Sequence, residues 1–191
     1  MTLPAELRPT LPHWAQTSEA RLKHIQRVAR LALDWGRAIG APEAELARWL
    51  KAVWLHDALR DASEAELDQW AAPTLGDLGL RHGPAAASRA KAEGETDRGV
   101  LDAVRYHSVG LAEWDMVGRV LYCADFLEPG RPDESATRSA LAARFPGDPA
   151  SVLLEVARCR IGHLIRSGWT IPEPTYRFWN SLIRAASAGS R

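Results

Sequence analysis

The chain has 191 residues, 46% apolar and 25% charged, with 24 basic and 24 acidic side chains. That length supports one domain with a substantial core, and the composition excludes disorder and collagen-like repeats. A formal net charge of zero without basic blocks argues against general nucleic-acid binding, and no apolar run approaches the roughly 20 residues of a bilayer span.

The N-terminal stretch "MTLPAELRPTLPHW" holds three prolines and no continuous apolar segment, so residues 1–17 are expected to form an irregular arm, not a secretory signal. Cys123 and Cys159 are too sparse for a disulfide framework, which makes a reduced, cytoplasmic location the expectation. Residues 18–191 are expected to form one domain. Ile25, Val28, Ala32, Trp35 and Ile39 recur at steps of three and four and predict a helix over 18–40, ended near Gly40. Pro42 suits the first turn of a second helix reaching about Arg60, and Ser63 with Glu66 has capping-box spacing for a short third.

The Gly- and Pro-rich stretch at 71–84 reads as a loop. Helices are then predicted over 84–93, 96–107 and 113–127, with a turn at 128–134. Asp148 before Pro149 opens a helix to about Arg166, and the last begins near Pro172. Period-two strands are missing from the pattern. The fold class is all-α, a single helical bundle.

Several apolar stripes carry ligand-type side chains. On the second helix Leu46, Leu50, Val53, Asp57 and Arg60 share one face, which places a carboxylate on the buried side. An unpaired buried carboxylate is costly, and an Asp57–Arg60 ion pair at i,i+3 is the simplest remedy. The anomaly recurs, however. Asp125 continues the row of Val117 and Leu121, His107 ends the row of Val100 and Val104, His24 and Arg27 flank the Ile25/Val28 face, and His82 sits in "RHGP".

Each histidine singly is accounted for by one satisfied hydrogen bond. Together, four imidazoles and two carboxylates without a thiolate make a ligand set for iron, manganese, cobalt or zinc. Adjacent His56 and Asp57 differ by about 100° around a helix and can reach one ion alongside it. Six ligands exceed what one ion holding water and substrate needs. They suit two ions sharing Asp57, whose two oxygens can bridge.

The order His24, His56-Asp57, His82, His107, Asp125 resembles the HD-domain metal-dependent phosphohydrolases. The strings "RLKHIQRVARLA", "WLHDALRD", "LRHGPAAA", "AVRYHSVG" and "YCADFLEPGR" look like the YqeK branch of that superfamily, over about residues 20–186. The resemblance implies an HD-domain helical bundle over 18–191 that hydrolyses diadenosine tetraphosphate symmetrically to two ADP with metal-activated water. It implies two divalent or mixed-valence ions, iron first, and a homodimer acting on a small dinucleoside polyphosphate, with no nucleic acid or membrane partner. His24, His56, Asp57 and Asp125 would hold one ion, and His82 and His107 would join Asp57 on the other. Arg27 and Arg60 would serve the reaction at the phosphates, with Gly83, Ser108, Gly110 and Arg131 lining the cleft.

Val109 and Ala58 depart from the family pattern, at positions that bear on substrate preference and not on the ligands. The alternatives are an HD-type nucleotidase of other specificity and a silent nucleotide-binding module.

Overall fold

The computed structural model describes residues 10–71, 78–130 and 135–188. Among these the regular structure is helical: α1 (Glu19–Ala38), α2 (Glu43–His56), α3 (Glu64–Trp70), α4 (Leu78–Ala92), α5 (Arg98–Tyr106), α6 (Met116–Leu127), α7 (Ser135–Arg144), α8 (Pro149–Arg166) and α9 (Glu173–Ala188). The all-α expectation holds. No helix among the described residues is long and apolar enough to cross a membrane.

The caps follow the sequence. Ser18, Ser63, Asp97, Asp115 and Asp148 each accept a hydrogen bond from a first-turn backbone N–H of the following helix, satisfying donors that the helix cannot pair itself. The core is built around α2, α5 and α6, with α1 and α4 packed at their sides. Ile25, Val28, Leu50, Val53, Val100, Val104, Val117 and Leu121 meet there, all at most 2% exposed. Those rows are the ones the 3.6-residue period placed inward.

Three expectations are corrected. The second helix stops at His56, and Asp57 leaves helical geometry with φ −111° and ψ 16°. The chain then advances by i→i+3 turns, in which Ala58 N–H donates to Leu55 O and Arg60 N–H to Asp57 O. The loop expected over 71–84 is helical in its second half, since α4 begins at Leu78 and takes in His82, Gly83 and Pro84, while residues 72–77 lie outside the described residues. Ala85, Ala86, Ala87 and Ala90 are buried. Their packing outweighs the helix-breaking tendency of one proline. Third, α7 was not expected, because its short sequence lacks a strong apolar row; Leu141 and Phe145 still anchor that region in the core.

Of the segment expected to be an irregular arm, residues 1–9 lie outside the described residues; residues 10–17 carry no helix and are tied to the site-bearing turn. Gln16 N–H donates to Ala58 O at 2.7 Å, Asp61 N–H donates to Gln16 O at 3.3 Å, and Ser18 N–H donates to Asp61 Oδ2 at 2.7 Å. The entry to α1 and the turn that carries Asp57 are thus one unit.

Arg48 of α2 joins the starts of two other helices. Its Nε and Nη2 donate to Asp97, the cap of α5, at 2.6 and 3.0 Å, and Nη2 also donates to Asp115, the cap of α6, at 2.8 Å. The partners are partly exposed, so water screens the pair. Arg48→Ala is expected to cost about 1–2 kcal/mol. Thermal unfolding followed by circular dichroism should therefore show a melting point lower by roughly 2–8 °C. An unchanged melting point would remove Arg48 from the framework.

Candidate metal centre

Four imidazoles converge on the Asp57 carboxylate, which is 3% exposed. Its Oδ2 lies 3.7 Å from His24 Nε2 and 3.6 Å from His56 Nε2. Its Oδ1 lies 3.1 Å from His82 Nε2 and 3.7 Å from His107 Nε2. Asp125 Oδ1 stands 3.1 Å from His24 Nε2, on the Oδ2 side. Two groups, His24–His56–Asp57 and Asp57–His82–His107, each bring their donor atoms within 4.8 Å of one another. Asp57 belongs to both, through opposite oxygens.

Each ligand-type side chain is placed by its own element. His24 comes from the middle of α1, His56 from the last residue of α2, and Asp57 from the turn after it. His82 comes from α4, His107 from the cap of α5, and Asp125 from α6. Gly83 allows the approach of α4 to α5. A Cβ there would meet Val104 O at 2.8 Å and the His107 ring at 3.0 Å.

The ring hydrogen bonds decide which nitrogens face the centre. His56 Nδ1–H donates to Val53 O at 2.6 Å, and His107 Nδ1–H donates to Val104 O at 2.8 Å. A carbonyl only accepts, so in both rings the lone pair is on Nε2, and that of His107 has His82 Nε2 at 3.0 Å and Ser108 Oγ at 3.1 Å. His56 is fully buried, and its Nε2 has no hydrogen-bond partner. A buried nitrogen with an unshared lone pair, aimed at a carboxylate, fits a cation ligand and is otherwise unfavourable. His82 differs, with Arg60 Nη1 3.4 Å from its Nδ1.

The electrostatics separate the two sides. Burial opposes charge on His24, but hydrogen bonds to Asp125 and Glu128, with the fields of Asp125 and Asp57, raise its pKa to about 9. Burial together with neighbouring His82 and His56 pushes His107 down to about 3, and burial likewise lowers His56. Burial favours protonating Asp57, yet His56, His82 and His107 hold its pKa well below the usual carboxylate range.

The remaining expected site residues are placed as follows. Ser108 Oγ stands 3.1 Å from His107 Nε2, at the centre. Arg60 does not pair with Asp57; its Nη1 donates to Gly79 O at 3.0 Å. Arg27 is held by Glu128, to which Nε donates at 2.5 Å and Nη2 at 3.2 Å. Gly110 adopts φ +89°, and a Cβ there would lie 2.3 Å from the Phe178 ring, so backbone conformation and packing account for that glycine. Arg131 lies outside the described residues.

Three side chains that the sequence reading missed surround the ligands. Arg21, one turn before His24, donates from Nη1 to Asp57 Oδ2 at 2.7 Å and supplies the cation expected of Arg60. Arg160 of α8 donates from Nη2 to Asp125 Oδ2 at 2.8 Å. Glu128, three residues after Asp125, accepts from His24 Nδ1 at 3.1 Å. For Arg21 and Glu128 the i±3 spacing from a ligand was a readable signal. Arg160 comes from a distant helix and gave none.

Comparison with known proteins adds a family. Residues 21–137 match the family model described as HD domain. The chain is 28% identical over 179 residues to the symmetrical bis(5'-nucleosyl)-tetraphosphatase of Halalkalibacterium halodurans, covering 87% of this chain and 90% of that protein. It is 30% identical over 126 residues to the Bacillus subtilis protein of the same name, covering 61% and 65%. A crystal structure from Clostridium acetobutylicum, described as a predicted HD superfamily hydrolase involved in NAD metabolism, superposes with a TM-score of 0.73 at 23% identity. That match spans 88% of this chain and 91% of the other, and it shows a shared fold.

Proposed function

This chain belongs to the HD-domain family, and we propose that within it the protein is a metal-dependent hydrolase that cleaves diadenosine tetraphosphate symmetrically into two ADP. The observation that carries this reading is the Asp57 carboxylate, with one oxygen toward His24 and His56 and the other toward His82 and His107. The substrate class rests on the two relatives named symmetrical bis(5'-nucleosyl)-tetraphosphatase.

His24, His56, Asp57 and Asp125 would hold one ion, and Asp57, His82 and His107 the other. When bound, two such ions activate water at neutral pH and offset charge on phosphate oxygens. Iron is the proposed metal, and the all-nitrogen-and-oxygen donor set suits it. The protein's own part is to fix the donors. The Val53 and Val104 carbonyls orient His56 and His107, and Arg160 holds one oxygen of Asp125. Arg27 and Arg60 are proposed to serve the phosphate chain, joined by Arg21, whose side chain is 27% exposed. A cation beside the transferring phosphoryl group is worth most where water is excluded.

The test is to incubate the purified protein, as isolated, with diadenosine tetraphosphate, separate the products by anion-exchange chromatography and measure metal content. The expected result is ADP as the sole nucleotide product and two ions per chain. ATP with AMP would overturn symmetrical cleavage. Orthophosphate released from mononucleotides, with diadenosine tetraphosphate left intact, would make the chain a nucleotidase.

A further inference from the structure

Glu128 is a buried carboxylate outside the six ligand-type residues of the centre. Its side chain is 1% exposed, at the C-cap of α6. An ionised carboxylate there would be unfavourable unless every lone pair were used, and the surroundings supply four donors. Oε1 accepts from His24 Nδ1 at 3.1 Å and from Arg27 Nη2 at 3.2 Å. Oε2 accepts from Arg27 Nε at 2.5 Å and from Gly130 N–H at 2.7 Å. Both oxygens are therefore saturated, which leaves none for a metal or a water proton.

What Glu128 touches is informative. His24 lies between two carboxylates from the last turn of α6, with Nε2 at Asp125 Oδ1 and Nδ1 at Glu128 Oε1, both 3.1 Å away. The first contact lies toward the centre and the second away from it. Arg27, one turn further along α1, is gripped by the same carboxylate through two donors. Binding through Nε and one terminal nitrogen is bidentate and fixes the guanidinium plane.

We infer that Glu128 is a positioning residue that sets the ring orientation of His24 and the guanidinium plane of Arg27 together, coupling one metal subsite to one phosphate-facing cation. The inference rests on the metal-centre reading given under Proposed function. It adds a carboxylate whose removal disturbs two roles at once without touching the reacting atoms. Glutamine in its place keeps one carbonyl acceptor but turns the other oxygen into a donor, which faces either Arg27 Nε and Gly130 N–H or His24 Nδ1–H and Arg27 Nη2. Alanine removes both acceptors.

The variants E128Q and E128A would be titrated calorimetrically with manganese(II) alone, assayed for kcat and KM, and crystallised metal-free. A graded series is expected. Affinity for one of two ions should fall roughly 10- to 100-fold in E128A and less in E128Q, with the other ion unaffected. Both a lower kcat and a higher KM should appear. The metal-free crystal structures should show the His24 ring rotated or Arg27 displaced in E128A. A residue that only stabilises the fold would lower the melting point while leaving the ratio of the two affinities and both side chains in place, and that outcome overturns the inference. Should the wild-type protein bind no manganese(II), the metal-centre reading fails, while the metal-free crystal structures still decide the positioning role.

Discussion

Replacing Asp57 with asparagine should lower turnover of diadenosine tetraphosphate on the order of a thousand-fold or more, comparable to losing a directly acting electrostatic group elsewhere. It should also reduce bound metal from two ions per chain to at most one. The change is isosteric, so little packing is lost around a side chain that is 3% exposed. What changes is that one of two acceptor oxygens becomes an NH₂ donor, which cannot ligate a cation. Whichever way the amide turns, either His24 and His56 or His82 and His107 lose their shared partner.

The same substitution distinguishes this reading from the plain ion-pair explanation. Were Asp57 only the counter-ion of a basic side chain, asparagine would lower stability and spare activity. The observed counter-ion, Arg21, is 27% exposed and can rehydrate when its partner becomes neutral. D57N is therefore expected to remain folded by circular dichroism. Full turnover with two ions retained would end the bridging assignment.

Much of this candidate centre was legible in the sequence because its ligand-type side chains interrupt patterns that are otherwise regular. Asp57, His107 and Asp125 each extend an apolar row, and a polar group continuing such a row requires a partner from another element. Helix-cap chemistry was equally legible, as at Ser63, Asp148 and Pro149. Local spacing could not show where α2 ends. The turn at Asp57 is held by Gln16 and Ser18, about forty residues earlier in the chain. That early stop carries Arg60 away from Asp57 and toward Gly79 and His82, so the i,i+3 pair expected of a continuous helix never forms. His82 was misplaced in a loop for a related reason. Glycine and proline report local backbone preference, whereas the burial of Ala85, Ala86 and Ala87 is set by helices from elsewhere in the chain.

The affinity of the ion proposed for His24 and His56 should rise about tenfold per pH unit from pH 6 toward pH 9. In the metal-free protein the His24 pKa is raised to about 9, because the carboxylates of Asp125 and Glu128 outweigh the effect of burial. Near neutrality the ring carries a proton on Nε2, which a metal must displace, so binding releases that proton. Burial pushes His56 and His107 the other way, His107 to about 3, so His107 stays neutral throughout this range and adds no slope. Calorimetric titration with manganese(II) in buffers of differing protonation enthalpy measures the proton released, and near pH 7 it should approach one for this ion.

Stability should respond to pH with different slopes in the two forms. A pKa raised above the unfolded value of about 6.5 stabilises the metal-free fold fully below pH 6.5, and that contribution disappears as pH rises through about 9. For a residue 6% exposed, the shift corresponds to roughly 3 kcal/mol. The metal-free melting point should therefore fall between pH 6.5 and 9. The metal-loaded melting point should stay level over the same window, because the proton that metal displaces from His24 is one the unfolded chain has also lost above pH 6.5. Parallel slopes in the two forms would mean that His24 does not exchange its proton for a metal. In that case the two carboxylates at the end of α6 hold an imidazolium as a structural cation, and Asp57 loses half of its proposed bridge.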